Sequence, residues 1–223
     1  MTDEGSITRN VLADQVRDYL LRGVFSGQFP PDSRIVETHV ARDMGTSQAP
    51  VREALRALEA LGVVDIRPFK GARVRRPSPE ELLEAYEVRA TLETLGARLG
   101  VPRMTVGDLA EITELHDALQ SAAAQGDRHV VAERDAAFHA RMLQLSGNSM
   151  LSRVWRSLEP VSRTYITLVA PNADPAWTAG LHPPILAALR KRDPAAVEAA
   201  LVRHFEEASR RMISGLTGLV PKA

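Results

Sequence analysis

The sequence predicts a mainly α protein in two domains, and three observations predict it. Leu and Ala are abundant while aromatic residues make up only 4% of the chain, a composition that favours helix over sheet. Apolar residues recur at helical spacing almost throughout, with one short interruption near residues 63–74 where the period becomes that of paired strands. A proline-bearing helix start follows directly, and 223 residues suffice for two domains that each bury a core.

In the first domain, Val11, Val16, Leu20 and Val24 mark a helix from about Val11 to Phe25, closed by Gly23, Gly27 and Pro30-Pro31. A second helix spans about Glu37 to Met44 and stops at Gly45. A third runs from Ser47 to about Leu61 and stops at Gly62, with Ser47 as its N-cap and Pro50 in the first turn, where a missing N–H is no loss. Val63, Val64 and Ile66 then read as a strand, Pro68-Phe69-Lys70-Gly71 as a turn, and Ala72-Arg73-Val74 as a returning strand. Three helices and a hairpin make a winged helix.

Arg75-Arg76-Pro77 is the boundary, giving domains 1–76 and 77–223. Ser78-Pro79-Glu80-Glu81 supplies an N-cap, a first-position proline and a third-position glutamate for the next helix. Further helices are expected over Pro79 to Leu99, Val106 to Gln125, Arg128 to Leu145, Ser149 to Val169 and Pro194 to Leu216. The stretch from Pro175 to Arg192 is less regular. Thr105, Asp127, Asn148, Asp174 and Asp193 stand where N-caps belong, with Gly100, Gly126 and Gly147 near the preceding ends. An antiparallel α-helical bundle of about six helices is the economical packing.

Bulk properties exclude several functions. No apolar stretch approaches bilayer length and Met1-Thr2-Asp3-Glu4 lacks the order of a signal peptide, so a cytoplasmic protein with no membrane partner is expected. The absence of cysteine excludes disulfides, thiolate zinc sites and cysteine nucleophiles, leaving His and carboxylate as metal ligands. Net charge is zero, yet residues 45–76 hold Arg52, Arg56, Arg67, Lys70, Arg73, Arg75 and Arg76 against Glu53, Glu59 and Asp65. Positive charge is therefore concentrated where a phosphate contact would need it.

The helix, glycine turn and helix over Glu37 to Leu61 form a helix-turn-helix pattern whose second helix would offer its N-terminal residues to the major groove. Many unrelated helix pairs share the pattern; the hairpin after it, with Arg67, Lys70 and Arg73 around Gly71, strengthens it. Val51, Ala54, Leu55, Leu58 and Leu61 read as core, Glu53 as an orienting partner for an arginine, and Arg56 as either a solvated residue or a phosphate contact.

The run from Ser47-Gln48-Ala49-Pro50-Val51-Arg52-Glu53-Ala54-Leu55 to Arg56-Ala57-Leu58-Glu59, with Gly62-Val63-Val64 and Lys70-Gly71-Ala72-Arg73-Val74, resembles the signature of the GntR family. The resemblance implies operator DNA as partner and gives Ser47, Arg52 and Gly71 DNA-contacting roles. Gln48 stands where the family usually has arginine, which points to a weaker or adenine-directed contact. Asp32 replaces the usual glycine after proline.

Asp135 and His139 lie four apart on one helix face, and His182 and His204 fall in later helical segments. One Asp and three His could ligate zinc or a similar divalent ion, or they could be half-buried polar residues; spacing leaves both open. The second domain resembles the FCD domain of the FadR subfamily through Arg89, Glu93, Asp135-Ala136-Ala137-Phe138-His139, Ser146-Gly147-Asn148, His182 and Asp193-Pro194-Ala195-Ala196 followed by His204. That resemblance implies a divalent ion on Asp135, His139, His182 and His204. Imidazole and carboxylate suit zinc, nickel and manganese alike, so availability decides among them, with zinc the first expectation. The Pro183-Pro184 pair departs from the family and puts His182 in question. His39, His116 and His129 receive no role, reading as surface or partly buried polar residues.

Together these features predict a homodimeric, ligand-responsive DNA-binding regulator in which a small carboxylate reaches the ion with help from Arg89. A purely structural metal is the alternative. A metal-dependent hydrolase is the rival from another class, and it lacks both a His-Glu-x-x-His motif and a use for the winged helix.

Overall fold

The computed structural model describes residues 4–67, 71–164 and 174–217. The chain divides into two compact units, Met1–Arg76 and Pro77–Ala223.

The first unit contains α1 (Glu4–Phe25), β1 (Arg34–Ile35), α2 (Glu37–Asp43), α3 (Gln48–Ala60), β2 (Val64–Arg67) and β3 (Gly71–Val74). α1 packs on α3, and Val16, Leu20 and Val24 are buried together with Val51, Leu55 and Leu58. α1 begins a full turn or more before Val11. Its first seven residues hold one large apolar side chain, Ile7, so no apolar stripe announces them.

The sheet has three antiparallel strands in the order β1-β3-β2, with Ile35 opposite Ala72 and Arg67 opposite Gly71. β1 was not expected from the sequence; a two-residue strand has no periodicity of its own and exists through pairing with β3. Asp32, just before it, has φ 68°, a left-handed value that favours glycine and that Asp tolerates better than most residues. The turn residues 68–70, Lys70 among them, lie outside the described residues.

The second unit contains α4 (Pro79–Gly100), a 3-10 turn (Val101–Arg103), α5 (Val106–Gln125), α6 (Arg128–Gln144), α7 (Ser149–Thr164), α8 (Pro175–Gly180), α9 (Pro183–Arg190) and α10 (Pro194–Thr217). Capping sets the starts. Ser78 and Thr105 form capping boxes with Glu81 and Asp108, while Asp127, Asn148, Asp174 and Asp193 accept from first-turn N–H groups. Gly126 ends α5 with φ 73°. Gly100 ends α4 differently: its backbone is right-handed, and a Cβ there would stand 2.6 Å from Leu145 Cβ and 2.8 Å from the Leu145 carbonyl carbon.

The stretch expected to be irregular folds as α8 and α9, each started by proline in its first turn. α4 packs along α10 and against α6 and α7, while α5 pairs with α6. The core gathers Leu82, Tyr86, Ile112, Phe138, Ile185, Leu189, Leu201 and Phe205. No helix among the described residues is long and apolar enough to cross a membrane.

Candidate functional site

Two places in the fold bring the singled-out residues together. In the first unit, Gln48, Arg52 and Arg56 recur every fourth residue and share one exposed face of α3, opposite the buried stripe of Val51, Leu55 and Leu58. Ser47 occupies the N-cap position with extended backbone, as expected, although its side chain accepts no helix N–H. Its exposed hydroxyl thus remains available.

Arg52 donates from Nε to Glu37 Oε2 at 2.7 Å and from Nη2 to Gln48 Oε1 at 3.0 Å. Glu37, which sequence reading passed over, therefore supplies the carboxylate on Arg52, across fifteen positions of chain. Gly71 has φ 80°, as a tight turn into β3 requires, and Arg73 beside it is exposed with Nη1 donating to the Asp32 carbonyl. Arg76 Nε donates to Asp32 Oδ2 at 2.9 Å, so Asp32 anchors two of the cations next to the sheet.

In the second unit, α6 contributes Asp135 and His139, His182 stands directly before the first residue of α9, and α10 contributes His204. All four are buried, His139 and His182 completely. One nitrogen from each of His139, His182 and His204 lies within 4.8 Å of the others. His182 Nε2 is 3.2 Å from His139 Nε2 and 3.1 Å from Asp135 Oδ1, which is itself 3.9 Å from His139 Nε2. The Pro183-Pro184 pair does not carry His182 away: both prolines sit in the first turn of α9, and the ring before them faces the other histidines.

The outer partners decide what these inward atoms are. His139 Nδ1 lies 2.5 Å from Glu93 Oε2. Burial raises the Glu93 carboxyl, but the His139 and Arg89 charges and the hydrogen bonds outweigh it and hold it at about 2. Glu93 is thus an ionised acceptor, and His139 Nδ1 must be the donor. His182 Nδ1 likewise donates to the Thr178 carbonyl at 3.1 Å. The Nε2 atoms of both rings therefore turn inward, toward each other and toward a carboxylate oxygen. Such a cluster can hold a cation, either a proton on an imidazole nitrogen or a metal ion shared by the inward atoms.

Electrostatics agree in direction. For Asp135, burial works against the charge, yet His139, His182 and Arg89 pull its pKa below the usual carboxylate range. Burial, with the adjacent His182 and His139 rings, pushes His204 well below the ordinary histidine value, which favours its neutral form, and its Nδ1 is buried without a hydrogen-bond partner. The donor set of three imidazoles and one carboxylate fits a divalent ion.

Arg89, expected to meet an anion, donates from Nε and Nη2 to Glu93 Oε1 at 3.1 and 2.9 Å. Its guanidinium is 5.8, 5.3 and 5.3 Å from the rings of Tyr86, Trp155 and Phe205. Burial disfavours its charge, and Glu93 and Asp135 more than offset that. Trp155 Nε1 also donates to Glu93 Oε1, at 2.7 Å. Glu93 therefore organises the back of the histidine centre, a role that its place among the residues of the FCD resemblance did not specify. His116 is buried on α5 with Nδ1 3.2 Å from Asp117 Oδ1 and takes no part.

Residues 84–207 match the FCD domain, and residues 12–74 match the bacterial regulatory proteins of the gntR family. A probable D-xylose utilization operon transcriptional repressor of Paenarthrobacter nicotinovorans is 33% identical over 198 residues, 89% of this chain and 87% of its own. Escherichia coli McbR/YncC superposes with a TM-score of 0.81 at 24% identity, covering 91% of this chain and 97% of that one. A GntR protein from Rhodococcus sp. RHA1 gives the same TM-score, identity and coverage. These structures share the fold.

Proposed function

The chain belongs to the gntR family of bacterial regulatory proteins and carries an FCD domain, and from that premise we propose that its helical unit holds a divalent ion at which a small carboxylate tunes operator binding. It is a transcription regulator with a DNA-binding domain and a ligand-binding domain; its relatives are regulators, and the hydrolase alternative lapses.

The observation that carries the metal reading is the pair of facing imidazole nitrogens, His139 Nε2 and His182 Nε2, 3.2 Å apart beside Asp135. Asp135, His139, His182 and His204 would hold the ion, zinc being the first candidate among metals these ligands suit. Bound there, the ion supplies Lewis-acid affinity for an anionic oxygen. Glu93 and Thr178 fix the ring tautomers, and the aromatic rings around Arg89 exclude water. With a divalent ion, the buried centre formed by Arg89, Glu93 and Asp135 carries one net positive charge, which an organic acid would neutralise.

DNA is read by a homodimer on a two-fold-related site, because one recognition helix spans only a few base pairs. Domain 1–76 would place Ser47, Gln48, Arg52 and Arg56 at the major groove and Lys70, Gly71 and Arg73 at the wing. Coupling requires the acid to bind the DNA-competent and incompetent arrangements unequally, typically by about 1–3 kcal/mol.

One observation favours the alternative of a structural ion: Arg89 is already engaged by Glu93 and enclosed by three rings. A single experiment separates the readings. Protein purified without chelator is assayed for metal, then titrated with organic acids, sugars and sugar acids while operator affinity is followed. Sugars are included because the Paenarthrobacter relative is named for D-xylose utilization. An acid that shifts operator affinity in wild type but not in His139→Ala supports the sensor. Tight binding that shifts nothing leaves the structural ion, and a metal-free protein whose melting temperature ignores zinc ends both.

A further inference from the structure

We propose that Glu37 and Gln48 form a clamp that fixes the Arg52 guanidinium for end-on reading of a guanine, which makes Glu37 a specificity-determining residue although it need not touch DNA. The inference rests on the reading that α3 enters the major groove.

Glu37 opens α2 and Arg52 lies in the second turn of α3, so the contact bridges the two helices of the helix-turn-helix. The Arg52 and Glu37 side chains are 56% and 30% exposed. An exposed pair of this kind adds little to stability. A carboxylate beside a groove-facing helix also repels phosphate, so its presence there needs another reason.

Geometry supplies one. Nε and Nη2 lie on one edge of the planar guanidinium, and both are engaged, by Glu37 Oε2 and Gln48 Oε1. The remaining edge, carried by Nη1 and Nη2, still offers two parallel N–H donors, the fork that matches O6 and N7 of guanine. Two anchors on one edge remove the rotational freedom of a long side chain before DNA arrives, so less entropy is lost on contact. Withdrawal of water at the interface strengthens both anchors.

Gln48 gains a definite role from the same contacts. Reading adenine bidentately would need its Oε1 and its amide N–H together. Because arginine can only donate, the atom facing Arg52 must be the carbonyl oxygen, which turns that oxygen toward the guanidinium and leaves it one further lone pair. In the clamp Gln48 acts first on Arg52, as its second anchor.

The test uses the full-length protein. Wild type selects its sites from a random duplex pool, and Kd is then measured for the selected site, for variants with each guanine replaced in turn, and for random duplex. In wild type, replacing the guanine read by Arg52 should weaken binding about 10- to 100-fold. In Glu37→Gln that penalty should fall to within about threefold, while affinity for random duplex stays level or rises as a negative charge is removed. Gln48→Ala should reduce the same penalty part of the way, and Glu37→Asp should restore it in part. An equal loss on all sequences in Glu37→Gln, or an unaltered penalty at every guanine, overturns the clamp while leaving DNA reading intact. If Glu37→Gln does not fold, Gln48→Ala and Glu37→Asp decide the matter at that same guanine. A wild type that selects no consensus overturns the clamp together with the DNA reading beneath it.

Discussion

Replacing Glu93 by glutamine preserves shape and removes one charge at the point where the histidine centre is organised. Glu93 accepts from Arg89 and Trp155 on Oε1 and from His139 on Oε2. The introduced amide can serve the first pair with its oxygen only by turning its NH2 group toward His139 Nδ1. That nitrogen must then accept, which moves the imidazole proton to Nε2 and blocks the atom facing His182. Two losses follow, and they separate. Arg89 keeps a buried charge with Asp135 as its remaining counter-charge, so metal-free stability should fall by about 3 kcal/mol, the lower end for a broken buried pair. Metal affinity should fall about 10–100-fold, equal to about 1.4–2.7 kcal/mol of the stabilisation that excess zinc confers. Urea unfolding in chelator reads the first quantity, and the difference between curves in chelator and in zinc reads the second. If zinc stabilises Glu93→Gln as much as wild type, the tautomer reasoning is wrong. If the chelated variant is as stable as wild type, the buried pair carries no weight.

Other outcomes are equally specific. The double variant His139→Ala/His204→Ala should retain no metal by elemental analysis and should not melt higher in added zinc. Gly100→Ala should destabilise the protein by about 1–3 kcal/mol in chemical denaturation, because its Cβ would meet the Leu145 backbone and not a yielding side-chain end. Arg56→Ala should weaken binding to all duplexes alike and lower the salt slope by about one, in contrast to the sequence-dependent loss from Arg52→Ala.

The elements best legible in the sequence were those marked by local chemistry. Ser78-Pro79 and Thr105 announced α4 and α5 because a cap and its partner sit three residues apart, within view of any reading. β1 was invisible because two residues carry no period, and its strand character comes from β3, some forty positions away. The same division holds within the candidate sites. Asp135 and His139 stand four apart on one helix, so their shared face could be read directly. Glu93 and His139 are 46 positions apart, and Glu37 and Arg52 fifteen, so nothing local ties those pairs together. His182 shows local logic cutting the other way: prolines that warn against a helix interior are at ease in a first turn, and they start α9 with the histidine at its mouth.

The hydrogen bond from Trp155 to Glu93 gives the protein an optical window on its own interior. An indole's emission follows the charge and polarity around it, and Trp155 is 2% exposed, shielded from solvent, and bonded to the carboxylate that holds His139. Filling the histidine centre would alter the field at that carboxylate and so the colour of the light. A closed-shell ion such as zinc should shift the band, whereas an open-shell ion such as nickel should dim it. The chain's other tryptophan, Trp177, lies under the Arg211 guanidinium at 5.1 Å, and Trp177→Phe would leave Trp155 as the sole indole emitter. Metal preference could then be followed in solution without any attached dye.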